Sequence, residues 1–266
     1  MRVNGVELCV QTFGDSSDPA VLLIHGACAS MLWWEEELCV AIAARGRFVI
    51  RYDNRDTGLS TSYPPGEPGY SLADMVLDAV GILDALGVSR AHVVGRSMSG
   101  AIALALGVDH PDRVESLTFV CTTTGDPSLP EMTPEFLEAS SARSPSDVEN
   151  IVTVLRAYAG SSPYFDEEAV RRLAVEDVAR TVNIQSAMTN HFCIEFDAPG
   201  GGFADLVAPV LVVHGSLDPV FPLAHGEAVR DAVPGASLLV LDSVGHDVPR
   251  PVWPVFVDAL VRHTTA

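Results

Sequence analysis

The stretch AHVVGRSMSGAIALAL, residues 91–106, decides how this sequence is read. An apolar run at 91–94 leads into Gly95-Arg96-Ser97-Met98-Ser99-Gly100, and an Ala/Leu-rich helical stretch follows. Strand, tight turn and helix in that order lift a serine hydroxyl above the end of the strand. The turn strains the backbone at the serine, so the residues two before and two after must be small. Gly95 and Ser99 meet that requirement, and Gly100 lets the helix pack closely. The G-x-S-x-small pattern alone is weakly specific, and Gly87-Val88-Ser89-Arg90-Ala91 matches it as well. That second match precedes the strand, so Ser89 is expected in a helix-to-strand loop at the opposite edge of the sheet. Context selects Ser97 as the nucleophile.

Working outward, short continuous apolar runs recur at 20–24, 48–52, 114–121, 210–213 and 237–241, each closed by polar or glycine-rich turns. Runs buried on both faces, alternating with helical segments, point to a mainly parallel sheet covered by helices, an α/β architecture. The helical side is clearest at 71–86, where Leu72, Met75, Val76, Ala79, Val80, Leu83 and Leu86 keep helical spacing, Ser71 and Asp74 form a capping box, and Gly87 ends the pattern. Near the N-terminus, Asn4-Gly5 is the dipeptide that a type I′ hairpin favours. The rhythm fails at 124–209, where Pro127, Pro130, Pro134, Pro145 and Pro163 interrupt helix-like pieces. This segment is read as a helical lid inserted into a core made of residues 1–123 and 210–266.

A serine hydroxyl is a poor nucleophile at neutral pH and needs a base within hydrogen-bond reach, itself oriented by a carboxylate. Asp218 stands just beyond the run at 210–213, and His246 just beyond the run at 237–241. Loops that follow the strands of a parallel sheet open on one edge, so Ser97, Asp218 and His246 can converge there. Asp126, after the preceding strand, is the rival acid. Of the other histidines, His92 and His214 lie within strand runs and are assigned to the core or to support of the site. His25-Gly26-Ala27-Cys28-Ala29 also follows a buried run directly, and a loop there supplies one oxyanion N–H while the residue after the nucleophile supplies the other. The donors assigned are Ala27 and Met98. Arg96, beside the nucleophile, could draw an anionic group toward the site, but is read as a structural ion pair beneath the sheet, and the charges of 53–60 as pins for a turn.

These motifs, with RYDNRDTGLST at 51–61 between them, resemble the α/β-hydrolase superfamily, whose chain order is also Ser, Asp, His. Within it the sequence is similar to the aclacinomycin methylesterase-like group, which has a comparable Arg-Tyr-Asp-x-Arg-Asp-Thr-Gly-x-Ser run and Ala-His-Val-Val-Gly strand. The likeness covers most of 20–125 and 210–264. His25-Gly26 stands where that group is expected to have Met-Gly, Ser99 replaces a glycine, and the lid is shorter. The resemblance implies an α/β-hydrolase fold and hydrolysis, through an acyl-enzyme, of a methyl ester on a bulky polyketide-like acid. The same triad also serves cofactor-free lyases, C–C hydrolases and perhydrolases, and a non-catalytic ligand-binding member of the fold is the remaining alternative.

Composition narrows the partners. Lys plus Arg is 16 against 35 Asp plus Glu, a net charge of −19, and no lysine occurs in the 266 residues. Such a chain repels phosphate backbones and anionic lipid, so neither nucleic acid nor membrane is expected as a partner. Absence of lysine excludes Schiff-base chemistry and a Ser-Lys dyad. Cys9, Cys28, Cys39, Cys121 and Cys193 form no C-x-x-C pair and are expected to be buried free thiols, and no metal or cofactor is called for. A cytoplasmic monomer or homodimer acting on a small-molecule ester is the expectation. The small side chains of Ala27-Cys28-Ala29 leave room for a bulky, mostly apolar acyl group. His25, Gly26, Cys28, Phe136, Tyr158, Met188 and Phe192 are the candidate substrate-contacting residues.

Overall fold

The computed structural model describes residues 1–141 and 144–265. Strands β1 (Arg2–Val3) and β2 (Val6–Glu7) pair antiparallel around Asn4 and Gly5, whose φ angles are 45° and 80°. Two consecutive positive φ values are what a type I′ turn demands. Seven further strands form one sheet: β3 (Val10–Phe13), β4 (Ala20–Ile24), β5 (Phe48–Tyr52), β6 (Ala91–Arg96), β7 (Val114–Val120), β8 (Val210–Gly215) and β9 (Ser237–Leu241). Their order across the sheet is β3-β5-β4-β6-β7-β8-β9. Only β3 runs antiparallel to its neighbour.

Every residue of β4, β5, β6 and β8 is buried, as their continuous apolar runs require. Alternate side chains serve the two faces. Val21 and Leu23 join Val49, Val94, Val213, Phe256 and Leu260 beneath α1 (Glu36–Ala43) and α9 (Trp253–His263), whereas Leu22 and Ile24 join Ile50, Val93, Ile82, Ile102 and Leu106 on the other face. That second face is covered by α2 (Leu72–Ala85) and α3 (Ser99–Asp109). The Ser71 N–H donates to Asp74 Oδ2 at 3.0 Å at the start of α2, and Gly87 at φ 70° follows its end. Strand β9 departs from the fully buried run expected of it: it closes the sheet as an edge, Ser237 is exposed and only Leu241 is buried.

Between β7 and β8 lie α4 (Pro134–Ser141), α5 (Asp147–Ala159), α6 (Glu167–Arg180) and the short α7 (Ile184–Ala187). This helical segment is anchored to the core by polar side chains. Arg180 donates from Nη1 and Nη2 to the two oxygens of Asp53 at 3.1 and 2.8 Å, and Trp33 Nε1 donates to Asp177 Oδ2 at 2.7 Å. The chain after Phe192 rejoins the sheet earlier than position 209: Ile194 and Leu206 belong to the α2/α3 side of the core, and the rings of Phe203 and Phe119 lie 5.3 Å apart. Helix α8 (Ala224–Ala232) follows β8. None of the described helices is long and apolar enough to cross a membrane. Of the five free cysteines, Cys39 and Cys121 are buried, Cys9 and Cys28 are half-buried, and Cys193 is exposed, against the expectation of burial.

Candidate active site

Ser97 sits at φ 52° between the end of β6 and the start of α3. That left-handed backbone is costly for any residue with a Cβ, and a chain holds it only where its surroundings enforce it. Here the enforcement is close packing: a Cβ on Gly95 would meet the Ser99 carbonyl oxygen at 2.3 Å and Ala103 Cβ at 2.8 Å. Thr122 Oγ1, two residues beyond β7, also donates to the Ser97 carbonyl at 2.8 Å, bracing the turn. Ser89, the competing match, precedes β6, and its carbonyl accepts from Arg113 Nε at 2.8 Å.

His246 and Asp218 reach Ser97 from the loops after β9 and β8. His246 Nδ1 donates to Asp218 Oδ2 at 2.8 Å, and Ser97 Oγ donates to His246 Nε2 at 3.0 Å. A carboxylate only accepts, so Nδ1 carries the ring proton and the Nε2 lone pair faces the serine. Asp218 Oδ1 accepts from the N–H groups of Val220 and Phe221, each at 2.9 Å. Burial pushes the Asp218 carboxyl up. His246, the hydrogen bonds and His214 outweigh that and hold it below its ordinary value. His214, inside β8, donates from Nε2 to the Phe221 carbonyl at 2.7 Å and supports this loop. Asp126 is exposed, and its Oδ1 accepts from Ser128, so it does not join the group.

The loop after β4 lies against the serine turn. A Cβ on Gly26 would come within 2.9 Å of Ser97 Cβ, so only glycine permits this approach. Among the described residues, no protein acceptor takes the N–H of Ala27 or of Met98. The His25 side chain is buried and faces Arg96. Its Nε2 accepts from Arg96 Nη1 at 2.8 Å, and its ring meets Trp34 edge-on at 5.7 Å. Burial first, then Arg96 and His246, hold this imidazole well below its ordinary pKa, so it is neutral. Arg96 therefore does not lie beneath the sheet. It sits at the C-terminal end of β6, donates from Nη2 to the His246 carbonyl at 2.6 Å and pairs with Asp247 at 3.3 Å, joining three strand-end loops.

The other candidate contacts divide. Tyr158 packs on the His246 ring at 5.0 Å, accepts the His246 N–H at its carbonyl at 2.8 Å, and stacks on Phe136 at 5.4 Å. Cys28 adopts φ 64° beside Ala27. Met188 is half-buried at the end of α7, and Phe192 is 72% exposed. Phe221, which the sequence did not single out, packs edge-on against His246 at 5.5 Å. A cavity of about 220 Å³ is walled by Trp33, Trp34, Arg96, Tyr164, Asp247 and Trp253 among others, and Ser97 is not among its lining residues.

The one grouping of metal-ligating side chains among the described residues is Cys121, Asp218 and His246, whose atoms lie within 4.8 Å of one another. Asp218 and His246 are already bonded to each other, and burial pushes the Cys121 thiol far up, away from the thiolate a metal needs. This donor set fits a proton-transfer pair better than a metal centre.

The sequence is 30% identical to Rhodomycin D methylesterase DauP of Streptomyces sp. (strain C5), covering 98% of this chain and 96% of that protein. It is 29% identical to 2-hydroxymuconate semialdehyde hydrolase of Pseudomonas sp. (strain CF600), covering 85% of this chain and 80% of that one. The enol-lactonase of Burkholderia xenovorans LB400 superimposes with a TM-score of 0.79 at 22% identity, over 99% of this chain and 98% of that one, a likeness of fold. A family model described as the alpha/beta hydrolase fold matches residues 19–249. With its parallel sheet and its serine turn between β6 and α3, the chain belongs to the alpha/beta hydrolase family.

Proposed function

We propose that the protein is a serine carboxylic ester hydrolase. The observation that carries this reading is the hydrogen-bonded series Asp218, His246, Ser97, with the N–H groups of Ala27 and Met98 left free beside it. His246 Nε2 takes the Ser97 proton as Oγ attacks the ester carbonyl. The developing oxyanion is received by the Ala27 and Met98 amides, which cost no reorganisation during the step. The N-terminus of α3 adds partial positive charge at the same place. His246 then gives its proton to the departing alcohol. Water, deprotonated by His246, attacks the acyl-enzyme and releases the acid and Ser97. Asp218 holds the ring in the required tautomer throughout.

The substrate proposed is a methyl ester of a bulky, mostly apolar, polycyclic acid. It is supported by the near full-length similarity to Rhodomycin D methylesterase DauP and by the small side chains, Ala27 and Ala29, of the loop whose Gly26 lies against Ser97. The helical segment within 124–209 is proposed as a cap over the site, with Tyr158 and Phe136 its nearest aromatic wall. C–C bond hydrolysis on the same residues is a second reading, favoured by the similarity to 2-hydroxymuconate semialdehyde hydrolase. The deciding experiment has two arms. Ser97→Ala should lose all labelling by a fluorophosphonate and most turnover, leaving only the roughly 10³–10⁴-fold acceleration over water that triad-deleted enzymes retain. Incubation with polycyclic methyl esters should give an acyl-enzyme mass and methanol, whereas turnover confined to vinylogous diketones would replace the esterase reading with the second one.

A further inference from the structure

The loop that carries Ala27 is held at both ends, and the two holds come from different parts of the chain. At the near end, the His25 carbonyl accepts from Ser99 Oγ at 2.6 Å and from Asn54 Nδ2 at 3.1 Å. At the far end, the Cys28 N–H donates to Nδ1 of His191 at 3.0 Å. The Gly26–Ala27 peptide, which owns the Ala27 N–H, lies between these two fixed units. Cys28 itself is at φ 64°, a backbone conformation that a non-glycine residue keeps only under constraint.

His191 can act on the loop in one protonation state only. Its Nε2 faces the Arg55 carbonyl at 2.8 Å, and a carbonyl only accepts, so Nε2 carries the proton and Nδ1 offers a lone pair to Cys28. A proton on Nδ1 would set donor against donor. The ring is 1% exposed. The neighbouring Asn190 locks the turn in place by donating to Asp56 Oδ2 at 2.9 Å and to the Pro64 carbonyl at 3.1 Å, and by accepting from the Gly66 N–H at 2.6 Å. The ionisable groups around the ring are Asp56, the Cys28 thiol and Arg55. Asp56 is engaged by Tyr70, Tyr63 and Asn190, and the Arg55 guanidinium is bound to Asp78 at 2.6 and 2.8 Å. Burial lowers the imidazole pKa, against the opposing effects of the Arg55 carbonyl and Asp56, so the neutral form persists.

We infer that His191, supplied by the segment between β7 and β8, is a positioning residue that fixes the Ala27 N–H for oxyanion binding through its bond to the Cys28 amide. The seating of that segment is thereby coupled to the acyl-transfer step. This inference rests on the proposed role of Ser97 and Ala27.

The test compares wild type with His191→Phe, which keeps a ring but no acceptor, and His191→Gln, which keeps one acceptor and one donor and does not titrate. His191→Leu replaces the Phe variant if that chain does not fold. Each is measured on an activated ester and on its thionoester, whose sulfur accepts hydrogen bonds poorly and therefore draws little from an oxyanion hole. The expected result for the Phe variant is a kcat at least tenfold lower with KM within about threefold, and a collapse of the ester-to-thionoester preference. Fluorophosphonate labelling of Ser97 persists in that variant, and Gln restores most of both quantities. Wild-type kcat and preference in a folded, labelled Phe or Leu variant would overturn the inference, as would a Gln variant no better than Phe. Failure of the Ser97→Ala experiment would instead remove the acyl-enzyme reading, so the two failures are distinguishable.

Discussion

The hydroxyl of Ser99 donates to the carbonyl oxygen of His25 at 2.6 Å, and both residues are buried. The first residue of α3 is thereby tied to the loop that lies across the serine turn. Ser99→Ala leaves the His25 carbonyl with Asn54 as its donor and should lower stability by about 1 kcal/mol, the usual net value of one hydrogen bond. Turnover should fall several-fold with little change in KM, because the loop loses a restraint and not a substrate contact. Urea unfolding and steady-state kinetics on the purified variant read both effects, and an unchanged kcat would show that Asn54 suffices.

Asp218→Asn should be far more damaging. An amide nitrogen facing Nδ1 of His246 favours the wrong ring tautomer, and the loss expected in kcat is on the order of 10⁴. Asp126→Asn, in an exposed loop bonded to Ser128, should stay within about twofold of wild type. Parallel kinetics of the two variants decide between the carboxylates.

Acid should weaken the fold before most carboxylates titrate. His25, His191, His214 and His263 have lowered pKa values, and His92 is drawn down to about 4, burial being the largest cause in each case. The unfolded chain then binds protons at about pH 6.5 that the folded chain refuses. The stability of the neutral forms is complete above about pH 6.5 and is lost as pH falls toward the folded values, by up to about 1.4 kcal/mol per pH unit for each histidine. Urea midpoints measured from pH 7.5 to 4.5 should decline from near pH 6.5 downward. A flat profile to pH 5 would contradict this account. His92→Gln should make the slope shallower, because the ring is bonded through Nδ1 to Ser116 at 2.9 Å and one titrating group is removed.

Arg180→Met should loosen the helical segment. Asp53 is fully buried, and without Arg180 its carboxylate keeps, among the described residues, the N–H groups of Met31 and Leu59. Removing one partner of a buried pair costs about 3 kcal/mol or more. The loss should appear as a lower melting temperature and as new proteolytic cuts near α6. Simultaneous Asp53→Leu replacement should recover part of the stability, because no unpaired charge remains.

The legible parts of this molecule are those written locally. Mainly apolar runs mark β4 to β8 because a strand buried on both faces takes few polar side chains, such as His92 and His214, and the small residues around Ser97 mark a turn that larger ones would obstruct. The positions of Asp218 and His246 follow from strand order alone. What was not legible depends on residues far apart in the chain. Nothing periodic announces that His191 meets Cys28 or that Arg96 reaches the His246 carbonyl. An apolar run also does not reveal whether its strand ends up at an edge, so β9 read as buried although Val240 is 40% exposed. The aromatic character of Phe192 likewise gave no sign that its side chain would be 72% exposed.

The exposed thiol of Cys193 has a practical consequence. It stands two positions beyond His191, in the stretch where the helical segment returns to the sheet, while Cys39 and Cys121 are buried and Cys9 and Cys28 are half-buried. Burial also raises the pKa of the Cys28 and Cys39 thiols to about 12, which slows their alkylation. A maleimide dye should therefore attach at Cys193 in the unaltered chain. A dye there stands two positions from the ring that bonds the Cys28 amide, so the unaltered chain carries its own attachment point for an optical report on that stretch.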